Sequence, residues 1–279
     1  AEDTTISGGT MYVRGGGTAI NTTVNGGIIA GSADSTVNGL TVNDNGSFRL
    51  TTNMTLTNAN IYGNKLSISD KVAEGFVINN NSILYASNEG TTKNTTVNSG
   101  ELSVQSGGTA EGTTINGGTM SVKNGGNANN TTINGGEMQI QNGAIANNVI
   151  LKNGDINNHS NLEKIVLDIN GGRGSIFSDG GIKEITGKVH NGEFSLEQNI
   201  ETVLKNVSFK GNNIAINGNI NIVADNGISE FSGNIKKISS EENSIPYQES
   251  YFTNNLNIVA QNNGKNIFDD ILITAVEAA

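Results

Sequence analysis

Few side chains in this sequence are of a type and placement that could do chemistry. Two histidines, His159 and His190, lie far apart in the chain. Asp168, Arg173 and Asp179 cluster around "LDINGGRGSIFSDGG" (167–181), and Asp269 and Asp270 are adjacent. A histidine near neutral pH can serve as acid, base or metal ligand. Carboxylates whose pKa values are split by their neighbours can share acid and base work, as in polysaccharide-cleaving enzymes. Neither histidine is framed by a nucleophile or by metal-ligand spacing, and with no cysteine a structural zinc site lacks its favoured ligand. Adjacent strand residues point to opposite faces, which separates Asp269 from Asp270. "GGRGS" has no Gly-Lys-Ser/Thr and no following helix pattern, so it is not a phosphate loop. The expectation is that all these residues sit on polar corners, that the protein is not an enzyme, and that it carries no cofactor or metal.

The elements that hold these residues repeat. "TTVNSGELSVQSGGTAEG" (95–112), "TTINGGTMSVKNGGNANN" (113–130) and "TTINGGEMQIQNGAIANN" (131–148) are one phrase said three times. Looser copies begin at Thr4, Thr22, Leu40, Ala59 and Phe76, with a length that drifts slightly from one to the next. Apolar residues fall in columns. The third position reads Val97, Ile115, Ile133; the eighth reads Leu102, Met120, Met138; the tenth reads Val104, Val122, Ile140. The unit from Phe76 supplies Ile83 and Tyr85 to the last two columns, and Ser47 interrupts the eighth. Apolar positions two apart around a polar one are the pattern of a half-buried strand, and the density of Gly and Asn argues against helix. Asn-Gly-Gly corners recur at fixed phase, so each unit makes one coil and equivalent residues stack about 4.8 Å apart. One coil cannot bury its thin apolar seam, whereas a stack can.

The fold class read from this is all-β: a right-handed parallel β-helix with roughly 18 residues per coil and about 15 coils. Residues 1–148 form its regular part. Residues 149–279 form an irregular continuation of the same helix, with the last segment as a C-terminal cap. Charge increases in this second half, from Lys183, Glu184, Lys188 and Glu193 onward.

Net charge of −10 and a pI near 4.7 exclude a basic footprint for nucleic acid and disfavour an anionic membrane surface. No apolar run reaches the ~18 residues of a membrane-spanning helix. The most regular polar feature is the pair of threonines that opens each unit. Ladder stabilisation is one reading of it. Another is an association edge: Thr95, Thr113 and Thr131, with Asn98, Asn116 and Asn134, would offer repeated donors and acceptors to an identical partner. Asn-x-Ser/Thr sequons such as those at Asn21, Asn94 and Asn206 arise by chance in such a composition and carry no weight.

The phrase "TTxNGGxMxVxxGGxAxx" resembles the repeats of AIDA-type autotransporter adhesins, the self-associating surface proteins of Gram-negative bacteria. The likeness is good over 4–39, strongest over 95–148, and weak beyond Val149. It implies a passenger domain at the cell surface, exported through the outer membrane and displayed there by a C-terminal barrel that these residues do not include. It implies cell aggregation, adhesion and biofilm formation through homotypic lateral contacts, with host surface glycans or proteins as further partners. It also implies O-glycosylation of Ser and Thr where a heptosyltransferase is present. Two alternatives are a β-helix protein that binds or cleaves carbohydrate, and a passive surface stalk.

Overall fold

The computed structural model describes residues 1–43, 45–49, 55–63, 65–69, 71–198, 201–210, 213–232, 235–238, 250–253 and 256–269. Among these residues every β-pairing between strands is parallel, and no helix occurs. The fold is the expected parallel β-solenoid. Its chain falls into two compact units, one of residues 1–131 with 136–139, the other of residues 132–135 with 140–279.

In the first unit each coil makes three short strands, one per wall. The coil from Thr95 gives Thr96–Val97, Glu101–Val104 and Thr109–Glu111. In-register pairs stack the apolar columns on themselves: Val97 on Ile115, Leu102 on Met120, Val104 on Val122, Ala110 on Ala128. All eight are fully buried. The corner glycines answer a packing need. A Cβ at Gly118 would lie 2.2 Å from the carbonyl oxygen of Gly100 on the coil beneath.

A second corner requires left-handed backbone on every coil. Asn21, Gly39, Asn58, Gly75, Asn94 and Gly112 hold it in turn, with φ between 50° and 71°. Asparagine and glycine tolerate this region where other residues are strained. The residue after this corner turns inward. Thr22, Leu40, Ala59, Phe76, Thr95 and Thr113 therefore form one buried column, at 0–1% exposure. The residue that follows, threonine at Thr23, Thr41, Thr96 and Thr114, faces outward instead and is half-exposed.

Two column assignments from sequence are corrected here. Leu84 and Ala86, not Ile83 and Tyr85, pair with Leu102 and Val104 and are buried. At the interruption, Phe48 rather than Ser47 pairs with Ile29. Both occur in units longer than the strict copies, where a single inserted residue swaps the inward and outward faces.

The second unit uses longer strands and longer coils. Leu162–Asn170 and Ile182–His190 are nine-residue strands that run through the corner the first unit breaks. Ile156, Ile176, Leu196 and Ile216 stack in register on successive coils, an even step longer than that of the first unit. Phe194, Phe209 and Phe231 fill the core, with ring centroids 5.7 and 5.3 Å apart. Further on, Ile216 pairs with Phe252 and Ile222 with Ile258, and the step widens again. Strand Ser250–Thr253 lies between Asn213–Asn217 and Ile235–Ile238, so chain order and stacking order part company there. Longer coils and this excursion explain why there are about 12 turns among the described residues rather than 15.

Candidate functional site

The proposed association edge divides into an inner and an outer half. Thr95, Thr113 and Thr131 are buried, at 0–1% exposure, and cannot present hydroxyls to a partner. The sequence misleads because each opens a Thr-Thr pair, and only the second member (Thr96, Thr114, Thr132) is half-exposed. The inner hydroxyls do not form a hydrogen-bonded ladder either. Oγ1 of Thr95 and of Thr113 has no partner, and Thr131 Oγ1 reaches only the Met120 sulfur at 3.8 Å. Stacked hydroxyls about 4.8 Å apart are too distant to bond.

The asparagines are on the outside. Asn98, Asn116 and Asn134 are exposed. Their longer side chains bridge the coil spacing: Asn98 Nδ2 donates to Asn79 Oδ1 at 2.9 Å, and Asn116 Nδ2 donates to Asn98 Oδ1 at 3.0 Å. Asn43 and Asn25 repeat the bond at 2.6 Å. Beside this amide ladder an open trough of about 600 Å³ runs across four coils, lined by Ser99, Glu101, Thr119, Ser121, Lys123 and Gln139 among others.

The second unit carries ladders of charge instead. Asp168 lies between Lys152 (3.9 Å) and Lys188 (3.5 Å). Glu184 lies between Lys164 (3.1 Å) and Lys205 (3.9 Å), and Lys205 continues to Asp225 at 2.9 Å. Lys183–Glu163 and Lys210–Glu230 close at 2.9 Å. An accepted hydrogen bond from Asn262, then the Lys205 ammonium, holds the Asp225 carboxyl below its ordinary value. The bond to Asp225 holds Lys205 above its own. These ladders border a groove of about 610 Å³ floored by Val203 and Val223. Solvent-screened pairs of this kind contribute little individually. Their regular spacing is hidden in the sequence because the strict repeats of the first half set a shorter period than these coils follow.

The candidate catalytic groups stay apart. Asp168 belongs to a lysine ladder, Arg173 stands in register opposite Glu193 on another wall, and Asp179 faces His159. His159 Nδ1 is 2.6 Å from Asp179 Oδ1, a pairing that follows directly once the longer coil is known. His190 Nε2 is 3.0 Å from Ser208 Oγ, and among the described residues no carboxylate orients its other nitrogen. The Asp269 side chain and Asp270 lie outside the described residues. "GGRGS" is the corner into strand Arg173–Ser178, with no helix to cradle phosphate. Among the described residues no group of three or more His, Asp or Glu is placed to hold a metal ion, and no helix is long and apolar enough to cross a membrane.

Residues 57–118, across the three-walled coils, match the family described as adhesin of bacterial autotransporter system, probable stalk. Over those residues the chain resembles AIDA-type adhesin repeats. The AIDA match overlaps the most regular repeats only from Thr95 to Gly118, and extends back into the less regular ones. Among solved structures, the chain is similar to the TibC-catalysed hyper-glycosylated TibA55-350 fragment, with a TM-score of 0.58 and 18% identity over 95% of this chain and 98% of that one. That likeness establishes the fold of the chain and no more. No curated protein sequence matches it.

Proposed function

We propose that the chain is a passenger region of a surface autotransporter adhesin, a non-enzymatic solenoid that associates with copies of itself on neighbouring cells. On this reading residues 1–148 and 149–279 belong to a single passenger exported across the outer membrane of a Gram-negative cell. The observation that carries it is the exposed amide ladder of Asn79, Asn98 and Asn116, a polar row repeated at coil spacing. Each intermolecular hydrogen bond nets only about 0.5–1.5 kcal/mol, so adhesion of this kind depends on repetition along the stack and between many copies. Such contacts support cell aggregation and biofilm formation. Because the TibA fragment is hyper-glycosylated, O-glycosylation is proposed here too, on outward hydroxyls such as Thr96 and Thr114 and not on buried Thr95 and Thr113.

Sedimentation velocity across a concentration and salt series tests self-association. Concentration-dependent dimers are expected, and an Asn98→Lys/Asn116→Lys variant should shift them to monomer. A strict monomer at the highest concentration sinks the proposal. It would leave a passive stalk, the second reading, which the family description itself favours.

A further inference from the structure

Four coils of the second unit present an outer wall made of Gly154–Asn158, Arg173–Ser178, Glu193–Gln198 and Asn213–Asn217. On this wall Phe177 points out and is 38% exposed, while Phe194, Phe209 and Phe231 of the same unit are at most 1% exposed. Burying a phenylalanine side chain is worth about 1.5–3 kcal/mol, so one kept on a strand's outer face forgoes that gain. Its surroundings are polar on every side. Asn157 and Glu197 stand directly above and below it in register, and Ser175 shares its strand. The His159 ring meets it edge-on at 6.1 Å, and His159 is in turn fixed by Asp179. Asn157 Oδ1 is buried without a hydrogen-bond partner.

We propose that Phe177 is the stacking platform of a glycan-binding site that takes a neutral sugar. A pyranose has an apolar C–H face and a rim of hydroxyls. An exposed ring bordered by carboxylate, amide, hydroxyl and imidazole groups complements both parts. Charge selects among glycans. The wall carries Asp155, Asp179, Glu193 and Glu197 against the single guanidinium of Arg173, so sialylated or sulfated chains are repelled. The site is independent of self-association and involves none of the amide ladder, so the two readings fail separately.

Saturation-transfer NMR on the whole chain, with maltohexaose, cellohexaose and chitohexaose as neutral probes and polysialic acid as the anionic counterpart, tests this. Transfer to at least one neutral probe and none to polysialic acid is expected. Phe177→Ala should weaken that binding about tenfold and Phe177→Tyr should retain it, with unchanged circular dichroism. Phe177→Leu, which keeps apolar bulk but loses the ring face, should behave as Phe177→Ala and serves if the alanine variant does not fold. Failure of all three neutral probes, preference for polysialic acid, or binding indifferent to loss of the ring each overturns the proposal.

Discussion

Asn94 leans across Gly112: a Cβ on Gly112 would stand 2.9 Å from Asn94 Oδ1, and Gly112 itself holds φ at +68°. The same relation joins Asn21 to Gly39 and Asn58 to Gly75, each at 2.6 Å. At these three steps the asparagine oxygen occupies the space where the next coil's Cβ would be, and glycine leaves that space free. Further along, Asn130 and Asn148 hold the corner on successive coils, so glycine is one solution and not the sole one. Gly112→Ala combines strain at positive φ with that contact and should destabilise the first unit by about 1–3 kcal/mol. Asn94→Gly in the Gly112→Ala chain should recover the part of the loss that comes from the contact. Thermal melts of Gly112→Ala, Asn94→Gly and the double variant check this; an additive double variant would refute the coupling.

Thr113 gives an opposite expectation. Its hydroxyl is buried and unpartnered, so Thr113→Val keeps the shape and removes a desolvated polar atom. Stability should stay level or rise by about 1 kcal/mol. Thr113→Lys would force a charge into the core and should unfold the coil. Chemical denaturation of both variants distinguishes this from a threonine that acts on the surface, for which lysine would be harmless.

Asn158 is buried polar and fully engaged. Its Nδ2 donates to Ser178 Oγ at 2.9 Å and to Ser160 O at 2.9 Å, and its Oδ1 accepts from Ser160 N at 3.1 Å. Asn158→Ala strands these groups and should cost about 1–3 kcal/mol. Asn98→Ala, on an exposed ladder, should cost less than about 1 kcal/mol. Urea midpoints that rank the two in the reverse order would contradict this account.

The Lys205–Asp225 pair fixes a pH response. Asp225 is lowered in the folded state, chiefly by the Asn262 hydrogen bond and then by Lys205. Its contribution is complete above the ordinary carboxylate value and is lost as pH falls through the lowered folded value. Lys205 is raised, chiefly by its hydrogen bond to Asp225. Its contribution is complete below the ordinary ammonium value and is lost as pH rises through the raised one. The pair therefore acts throughout neutral pH and fails only at the acid and alkaline extremes. Asp225→Asn should flatten the acid limb of the stability profile, an effect that added salt should reduce in the parent chain.

What the sequence could disclose was governed by period. Val97, Leu102 and Val104 announce their columns because three neighbouring units share one length, and parallel stacking then follows. Ile83 and Tyr85 mislead because a single added residue exchanges faces without altering composition. Thr95 misleads for a subtler reason: the backbone handedness at Asn94 decides which threonine of the pair turns in, and no side-chain pattern records it. His159 and Asp179 lie one long coil apart and become partners only when the coil length of the second unit is known.

The three asparagine-to-asparagine bonds described above run one way. Asn43 donates to Asn25, Asn98 to Asn79, and Asn116 to Asn98, each towards the coil that precedes it in the chain. Amide dipoles aligned head to tail reinforce one another, as peptide dipoles do in a helix. The surface row therefore has a polarity, oxygen-first in one direction and nitrogen-first in the other. A second row docked beside it in the opposite sense would place its dipoles antiparallel to the first, the favourable arrangement for side-by-side dipoles, whereas a row docked in the same sense would oppose it. The direction in which one amide was written into the repeat thus bears on which way round two molecules would lie.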